Sequence, residues 1–303
     1  MIRAIPGVAP MVGVVEAAHV VVPAASRREA LVAAQGEVRP VGHLRDLVEV
    51  LLGERSWPEH RPDDPASATP AAPAPDLADV RGQPVARRAL ELAAAGGHHL
   101  LFVGPPGAGK TMLAERLPGI LPPLDRTTAL RATMIHSAAG VPLPVGGLVS
   151  TPPFRAPHHT SSMVAVIGGG SSTLRPGEVS ISHGGVLFLD ELGEFPVSVL
   201  DALRQPLEAG SVLIARAGVR AEIPARFLLV GATNPCPCGG GAPGECECDE
   251  ARRQRYLRRL SGPLLDRFDL RVALHRPAVD ELIDGQAGEP SAVVARRVAA
   301  VRR

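Results

Sequence analysis

The chain of 303 residues carries a formal net charge of +1 at pH 7, with 45% hydrophobic and 3% aromatic residues. That length allows about two domains, whose cores must be built from aliphatic side chains and alanine. The near-neutral charge excludes a general attraction to nucleic acid or membrane, so any basic surface must be local. Apolar runs fall short of the roughly 18–20 residues of a membrane span, and the first residues lack a signal-peptide cleavage pattern. We therefore expect a cytoplasmic protein with no membrane partner, whose four cysteines do not form structural disulfides.

The first 54 residues predict a small α/β unit without a catalytic constellation. A strand is expected at 18–22, and a helix follows it, with Ser26 as the N-cap and Glu29 completing a capping box. The apolar spacing of residues 42–52 predicts an amphipathic helix.

A glycine-rich loop dominates the next segment. Residues 55–75 are rich in proline and alanine and predict a semi-rigid linker. Pro84 then begins a helix that extends to Ala95, and residues 100–103 predict a buried strand. The strand leads into a loop that fits G-x-x-x-x-G-K-[ST] and opens a helix, which is the setting of phosphate-binding loops. The loop consists of Gly104, Pro105, Pro106, Gly107, Ala108, Gly109, Lys110 and Thr111.

The residue types of this loop suit a nucleoside triphosphate such as ATP. Successive backbone N–H groups in a glycine-rich turn form a concave anion-binding surface. Lys110, the only lysine in the chain, is expected to reach the β- and γ-phosphates, and the Thr111 hydroxyl to bind Mg²⁺. A glycine-rich turn without a ligand is the alternative, which the flanking elements and the sole lysine disfavour.

The segment that follows contains two features that could be either structural or functional. Residues 127–139 predict a helix. The adjacent His158 and His159 suggest metal ligands, but neighbours on a strand point apart, which favours hydrogen-bonded structural histidines. The glycine-rich segment 168–172 is expected to be a loop inserted in an ordered domain, a position that often carries function.

A second chemical signal follows the predicted strand at 186–189. Asp190 and Glu191 come directly after it, at the strand end where α/β sheets bind ligands. Asp190 is expected to hold Mg²⁺ through water, and Glu191 to orient and polarise the attacking water. The alternative is a solvated acidic turn, which the upstream phosphate-binding loop disfavours.

A third polar residue follows another strand. Residues 196–209 predict a helix, 210–224 a β-hairpin and 226–232 a buried strand. Asn234 comes after this strand, where its amide can help to hold the attacking water beside the γ-phosphate.

All four cysteines of the chain lie in one loop, 236–248, in the pattern C-x-C…C-x-C. Four thiolates can close a tetrahedral Zn²⁺ site, although this spacing is tighter than the usual C-x₂-C. Free thiols in a loop and a redox pair remain as alternatives. The cysteines are Cys236, Cys238, Cys246 and Cys248.

The region after the cysteines is strongly basic. Residues 252–260 predict an arginine-rich helix whose face is either solvated or in contact with DNA phosphates or the nucleotide of a neighbouring subunit. A last strand is predicted at 270–274, and the chain beyond Arg276 is polar and helix-prone.

The order of these motifs resembles that of an AAA+ ATPase. Longer segments resemble, more specifically, the magnesium-chelatase-like ATPases of the YifB/ComM subfamily, over residues 76–276. The resemblance implies an α/β fold with a three-layer P-loop AAA+ core and a parallel sheet. Residues 1–54 would be the C-terminal remnant of a Lon-protease-like domain. The segments are PFRAPHHTSS, GEVSISHGGVLFLDEL, LRQPLEAG, NPCPCG and RRLSGPLLDRFDL.

The resemblance also implies a role for each part of the site. The phosphate-binding loop would be Walker A, the acidic pair Walker B, and the strand-end asparagine the first sensor. Arg267 would be an arginine finger that acts on the ATP of an adjacent subunit, a contribution of ~10³–10⁵ in rate. Hydrolysis would then require a ring, which in this family is expected to be a hexamer. The catalytic residues would be Lys110, Glu191, Asn234 and Arg267, and the Mg²⁺ ligands Thr111 and Asp190.

Three functions follow from the resemblance. The favoured one is an ATP-driven DNA motor for branch migration, in which the hairpin 211–223 and the insertion 168–183 face the pore and grip the substrate. The others are a magnesium-chelatase motor subunit and a truncated nucleotide-binding fragment without turnover. The cysteine loop and the Lon-like segment favour the first over the second. Residues 277–303 are expected to begin a truncated C-terminal region, without the helical lid of the family.

Overall fold

The computed structural model describes residues 2–57, 74–170, 174–216, 219–240, 246, 248–257, 260, 262–278, 280, 283 and 287–302. The chain divides into two compact units. One comprises Met1–Ala72 and Leu124–Ser150, and the other Pro73–Pro123 and Thr151–Arg303.

The helices and strands follow one another in an α/β order. The helices are Val8–Gly13 (α1), Arg27–Ala33 (α2), Leu44–Leu51 (α3), Pro84–Gly96 (α4), Lys110–Glu115 (α5), Arg126–Ala139 (α6), Met163–Ile167 (α7), Glu178–Ile181 (α8), Val197–Ala202 (α9), Arg204–Ala209 (α10), Glu250–Leu257 (α11), Gly262–Leu265 (α12) and Ser291–Val301 (α13). The strands are His19–Pro23 (β1), Glu37–Val41 (β2), Leu100–Val103 (β3), Phe154–Arg155 (β4), Gly168–Gly169 (β5), Arg175–Pro176 (β6), Val186–Leu189 (β7), Ser211–Arg216 (β8), Val219–Pro224 (β9), Leu228–Thr233 (β10) and Leu270–Ala273 (β11).

The first unit is built on the parallel pair β1 and β2. Its small core contains Val8, Val12, Val22 and Ala30. Helix α6 packs against α1 and α2, and the buried Ser137 hydroxyl accepts a hydrogen bond from the Ala9 N–H at 3.2 Å. Residues 124–150, which the predicted core 76–276 includes, therefore group with the N-terminal segment.

Helix capping in this unit differs from the prediction. Ser26 occupies the N-cap position of α2, but its side chain makes no cap hydrogen bond, so the capping box with Glu29 is wrong. Ser26 ends a 3₁₀ turn with φ −99° and ψ 7°, whereas an N-cap side chain reaches the helix from an extended backbone. Asp125 has that backbone, and its carboxylate accepts the N–H groups of Thr127 and Thr128 at the start of α6.

The second unit contains a five-stranded parallel sheet in the order β11-β3-β10-β7-β4. Successive residues of a strand face opposite sides of a sheet. Accordingly, Leu100 and Phe102 lie in one buried cluster with residues of α4, α5 and α13. Leu101 lies in the other cluster, with residues of α7, α8 and α9. The predicted three-layer α/β core with a parallel sheet is confirmed.

The sheet order brings three predicted strand ends to one edge. Strand β10 pairs with β3 on one side and with β7 on the other. Because the strands are parallel, the residues that follow each of them emerge at the same edge. The phosphate-binding loop, Asp190 and Asn234 therefore come together, with the asparagine on the middle strand.

Several elements differ in detail from the predictions. The helix expected at 196–209 is divided into α9 and α10. Part of the expected loop 168–172 pairs as strand β5 with β6, and 171–173 lie outside the described residues. The hairpin is present as β8 and β9. Most of the predicted linker, its residues 58–73, lies outside the described part of the chain. So do 258–259 of the predicted basic helix.

Within the described residues, every helix is too short or too polar to cross a membrane.

The start of the second unit is anchored to α13 through one carboxylate. Asp76 Oδ1 accepts hydrogen bonds from the N–H of Ala78 at 2.8 Å and of Ser291 at 2.9 Å. The Ser291 hydroxyl in turn accepts one from the Leu77 N–H at 2.7 Å. These backbone donors, Ala78 first, lower the pKa of Asp76. The ionised carboxylate thus ties together two segments that are distant in sequence.

We expect Asp76→Ala to lower the free energy of unfolding at neutral pH by about 1–2 kcal/mol, because two N–H groups lose their acceptor. The stabilisation by a carboxylate of lowered pKa is present above its unfolded pKa and disappears as pH falls through the folded pKa. The difference from wild type should therefore shrink in acid. Urea unfolding between neutral pH and pH ~3 measures it.

The matched control is Asp79→Ala. Asp79 is 62% exposed and lies 3.4 Å from Arg116, so its removal should change stability by less than about 0.5 kcal/mol. Equal effects of the two substitutions, or a difference that does not depend on pH, would contradict the role given to Asp76.

Candidate nucleotide-binding site

A cavity of about 320 Å³ opens at the edge of the sheet where β3, β7 and β10 end. Its walls are the phosphate-binding loop and the residues that follow β7 and β10. The lining residues are 106–112, Asp190, Glu191 and Asn234.

The phosphate-binding loop depends on its glycines at three positions. Gly107 and Gly109 have φ of 79° and 85°, a backbone region that side chains with a Cβ rarely adopt. Gly104 has a different reason, since a Cβ there would lie 2.7 Å from the carbonyl oxygen of Leu274. These glycines let the loop turn tightly, the kind of turn in which successive backbone N–H groups can form an anion-binding concavity.

Lys110 lies in the centre of the site. Its ammonium donates to the carbonyl oxygens of Gly104 at 2.7 Å and Pro105 at 3.0 Å, and to Asn234 Oδ1 at 3.0 Å. Burial lowers the pKa of Lys110, while the nearby carboxylates of Asp190 and Glu191 oppose this shift. The ammonium is thus held by neutral acceptors that an anionic ligand can replace.

The predicted Mg²⁺ ligands contact each other. The Thr111 hydroxyl donates to Asp190 Oδ2 at 2.6 Å, and the Glu191 N–H donates to Asp190 Oδ1 at 2.9 Å. A hydroxyl and a carboxylate are hard oxygen ligands of the kind that Mg²⁺ prefers. This donor set fits Mg²⁺ bound together with phosphate oxygens.

Glu191 has an unusual backbone and an unpredicted partner. Its φ of 50° and ψ of 47° lie in the left-handed region, which costs of order 1–3 kcal/mol for a residue with a Cβ. Its carboxylate contacts His159 Nδ1 at 2.9 Å. The backbone and this contact together set the direction of the carboxylate at the cavity.

The two histidines do not point apart as predicted. Strand β4 ends at Arg155, so His158 and His159 lie beyond it, and their rings are 4.1 Å apart. His158 Nδ1 contacts the Thr160 hydroxyl at 2.8 Å, which agrees with the expected hydrogen bonding. The contact of His159 with Glu191 arises because β4 pairs with β7, so the segments after both strands meet.

A further group of residues fixes the loop from outside the motif. The Arg276 Nε donates to the carbonyl oxygen of Pro106 at 2.9 Å. The Gln83 side chain donates to the carbonyl oxygens of Ala108 and His275. Gln83 also has a positive φ of 51°. In the sequence, the only feature that could have indicated a structural role for Gln83 is its position directly before the helix that begins at Pro84.

Arg267 lies away from this cavity. It contacts Glu208 of α10. Asp269, two residues after Arg267, accepts a hydrogen bond at its Oδ2 from the His99 N–H at 2.8 Å. His99 precedes β3, and Arg267 precedes β11, so both are at the edge of the sheet opposite the cavity. The length of a four-residue strand, about 13 Å, separates the two edges.

The four cysteines are brought together. Their sulfur atoms all lie within 4.8 Å of one another, and the cysteines are free thiols. Burial, followed by hydrogen bonding to neighbouring thiols, raises the pKa of Cys236 to about 12. The cluster is next to the nucleotide cavity along the chain, since Cys236 is two residues after Asn234.

A P-loop facing an acidic strand end, on a parallel sheet with helices on both faces, is the arrangement of the P-loop nucleotide-binding proteins, the class that includes the AAA+ ATPases. The family model for magnesium chelatase, subunit ChlI, matches residues 76–282. The chain belongs to this family.

Curated relatives support the narrower resemblance. An uncharacterised protein of Mycobacterium tuberculosis is 50% identical over 283 residues, 93% of this chain and 56% of that protein. YifB of Escherichia coli is 44% identical over 261 residues, 86% of this chain and 51% of YifB. Competence protein ComM of Haemophilus influenzae is 49% identical over 228 residues, 75% of this chain and 44% of ComM. The chain spans about half the length of these relatives, and its predicted YifB/ComM-like character is confirmed.

Proposed function

We propose that this chain binds ATP with Mg²⁺ and hydrolyses it as part of an AAA+ motor. The observation that carries the proposal is the hydrogen bond of 2.6 Å between Thr111 and Asp190, beside the ammonium of Lys110. It joins the two predicted Mg²⁺ ligands, one at the start of α5 and the other directly after β7, at the mouth of a loop shaped for phosphate.

Each residue has a defined task in the proposed reaction. Lys110 exchanges its carbonyl acceptors for the β- and γ-phosphates, and the loop N–H groups hold the remaining phosphate oxygens. Thr111 and Asp190 bind Mg²⁺, directly or through water; when bound, the ion neutralises charge that develops on the phosphates. Glu191 orients the attacking water and accepts its proton. Asn234, beside Lys110, helps to hold that water.

Arg267 is proposed to act on the nucleotide of a neighbouring copy. Its place at the edge opposite its own cavity supports action in trans, because the side chain cannot span about 13 Å of sheet to its own site. In a ring of identical subunits, of which we propose six, the edge that carries Arg267 in one subunit would face the edge that carries the nucleotide cavity in the next.

DNA is the proposed substrate of the motor. The motor is proposed to act in the cytoplasm. Two observations support it: the similarity to competence protein ComM and the exposed arginines of α11, Arg252, Arg253 and Arg255. The hairpin β8–β9 and the segment around β5 and β6 are proposed to contact the DNA.

A magnesium-chelatase motor subunit is the second candidate, which the family match favours. We also propose that residues 1–54 derive from a Lon-protease-like domain.

We expect Lys110→Ala to weaken Mg²⁺–ATP binding about ten- to a hundredfold, because charged hydrogen bonds to phosphate are lost. Equilibrium titration with a fluorescent ATP analogue measures this. Arg88→Ala, which removes an exposed cation from α4, is the control and should bind as wild type. Unchanged affinity in Lys110→Ala would contradict the site.

ATP turnover in the presence of forked or four-way DNA distinguishes the two candidates. A DNA motor should be stimulated by branched DNA, and the stimulation should fall as salt rises, because phosphate contacts release counterions. An ATP turnover rate that branched DNA does not change, together with no DNA binding at low salt, would contradict the DNA proposal and favour the chelatase candidate.

We expect Arg267→Ala to lower ATP turnover about 10³-fold or more while leaving ATP affinity within about twofold. Mixing this variant with Lys110→Ala should restore activity, because the intact cavity of one subunit then faces the intact arginine of the other. The exposed Arg271→Ala serves as the control. Full activity of Arg267→Ala, or no recovery on mixing, would contradict action in trans.

We expect His159→Ala to lower kcat about ten- to a hundredfold with little change in ATP affinity, because Glu191 loses the partner that orients it. His158→Ala removes the neighbouring ring without removing that contact and should have a smaller effect. Steady-state kinetics together with the binding titration separates the two quantities. Equal kcat values for both variants would exclude a role of His159 in positioning Glu191.

A further inference from the structure

The four cysteines of the segment 236–248, called the cysteine loop, form a compact sulfur cluster beside the nucleotide cavity. Cys238 Sγ lies 3.2 Å from Cys236 Sγ and 3.7 Å from Cys246 Sγ. Cys236 is 2% exposed, whereas Cys238 is exposed to solvent. Two C-x-C pairs thus converge on one point that solvent can reach.

The geometry of the cluster matches a tetrathiolate metal centre. Zn–S bonds of about 2.3 Å at tetrahedral angles place the ligand sulfurs about 3.8 Å apart. The sulfurs of Cys238 and Cys246 lie 3.7 Å apart, close to that edge length. Those of Cys236 and Cys238 lie 3.2 Å apart, and all four lie within 4.8 Å of one another. A disulfide requires about 2.0 Å, so the sulfur–sulfur distances fit a shared ion better than a disulfide bond.

We propose that Cys236, Cys238, Cys246 and Cys248 bind one Zn²⁺ ion in a closed structural site that braces the phosphate-binding loop. Each thiol gives up its proton as its sulfur binds the ion, and the protons pass to solvent. With four protein ligands the ion keeps no open position, so it takes no part in the hydrolysis.

The contacts of the cysteine loop explain what the ion would brace. A Cβ on Gly239 would lie 3.0 Å from Cδ and Cγ of Pro106, so the cysteine loop lies directly against the phosphate-binding loop. Asn234, which contacts Lys110, is two residues from Cys236. A closed metal site holds both neighbours in place without touching the nucleotide.

The other end of the cysteine loop returns to the same strand. Tyr256 of α11 is buried, and its hydroxyl lies 3.1 Å from the Thr233 hydroxyl at the end of β10. The tyrosine ring also packs on Gly193, where a Cβ would lie 2.8 Å from it. The loop is therefore anchored by β10 on one side and by α11 on the other, and the ion would close the segment between these anchors.

Zinc content and zinc affinity of the full chain test the site itself. We expect reduced, purified protein to contain one Zn²⁺ per chain by elemental mass spectrometry, and Co²⁺ exchange to give the visible absorption of a tetrahedral thiolate centre. Cys238→Ser should weaken Zn²⁺ at least about tenfold in competition with a chromophoric chelator, since removal of outer-shell groups alone costs 10–100-fold. Cys238 is exposed, so this variant should remain folded by circular dichroism.

A folded wild-type chain that neither contains zinc nor takes it up on titration would overturn the proposal. So would an unchanged zinc affinity in Cys238→Ser. Lys110→Ala is the matched control and should keep its zinc, because Lys110 is not a ligand.

The bracing effect rests on the proposed ATP site, and a second measurement keeps the two apart. Removal of zinc from the wild type by a chelator should weaken ATP binding by at least about threefold while circular dichroism stays unchanged, and added Zn²⁺ should restore it. Unchanged ATP affinity after zinc removal would overturn the bracing. A zinc-loaded wild type that binds no ATP would instead contradict the proposed function and leave the metal site standing.

Discussion

The parallel pairing of β10 between β3 and β7 is the constraint on which this site depends. It places the end of the middle strand between a loop that carries an ammonium and a turn that carries carboxylates. Lys110, Asp190 and Asn234 are far apart in sequence, yet the sheet brings them to one cavity. A shift of β10 to an outer position would separate the lysine from the acidic residues, and the hydrogen bond between Thr111 and Asp190 could not form.

The same parallel arrangement gives the sheet two unlike edges. Phosphate-binding groups emerge at the carboxyl ends of the strands, while Arg267 precedes β11 at the amino ends. The chain therefore carries the candidate nucleotide cavity on one edge and an arginine, paired with Glu208, on the other. This polarity is what a head-to-tail assembly requires, and it connects the α/β fold directly to the proposed requirement for neighbours.

Local chemistry made the centre of the site predictable. The loop from Gly104 to Thr111 has a sequence pattern that is specific to phosphate-binding loops. Asp190 follows a strand whose four residues are all buried. The three-layer core was expected from the resemblance of several sequence segments to the magnesium-chelatase-like ATPases. These features depend on neighbours in sequence, which is why the sequence alone indicated them.

The features that the sequence did not indicate depend on tertiary neighbours. The partner of Glu191, His159, follows from the pairing of the two-residue strand β4 with β7, and so short a strand leaves almost no periodicity to detect. Helix α6 was predicted as a helix, but its association with α1 and α2 is a matter of packing. The cap at Ser26 failed because a 3₁₀ turn altered its backbone, whereas the roles of Arg267 and the cysteines stay predictions.

Thr111 at the start of α5 and Asp190 after β7 are proposed to form a single Mg²⁺–nucleotide site. A double-mutant cycle with Thr111→Val, Asp190→Asn and the combined variant, measured as ATP affinity at saturating Mg²⁺, tests it most directly. We expect a coupling free energy of at least about 1 kcal/mol, with the double variant binding ATP little worse than the single variant of lower affinity, because either change disables the same ion. Losses of binding free energy that simply add would contradict a shared site, since the two residues would then act at separate places.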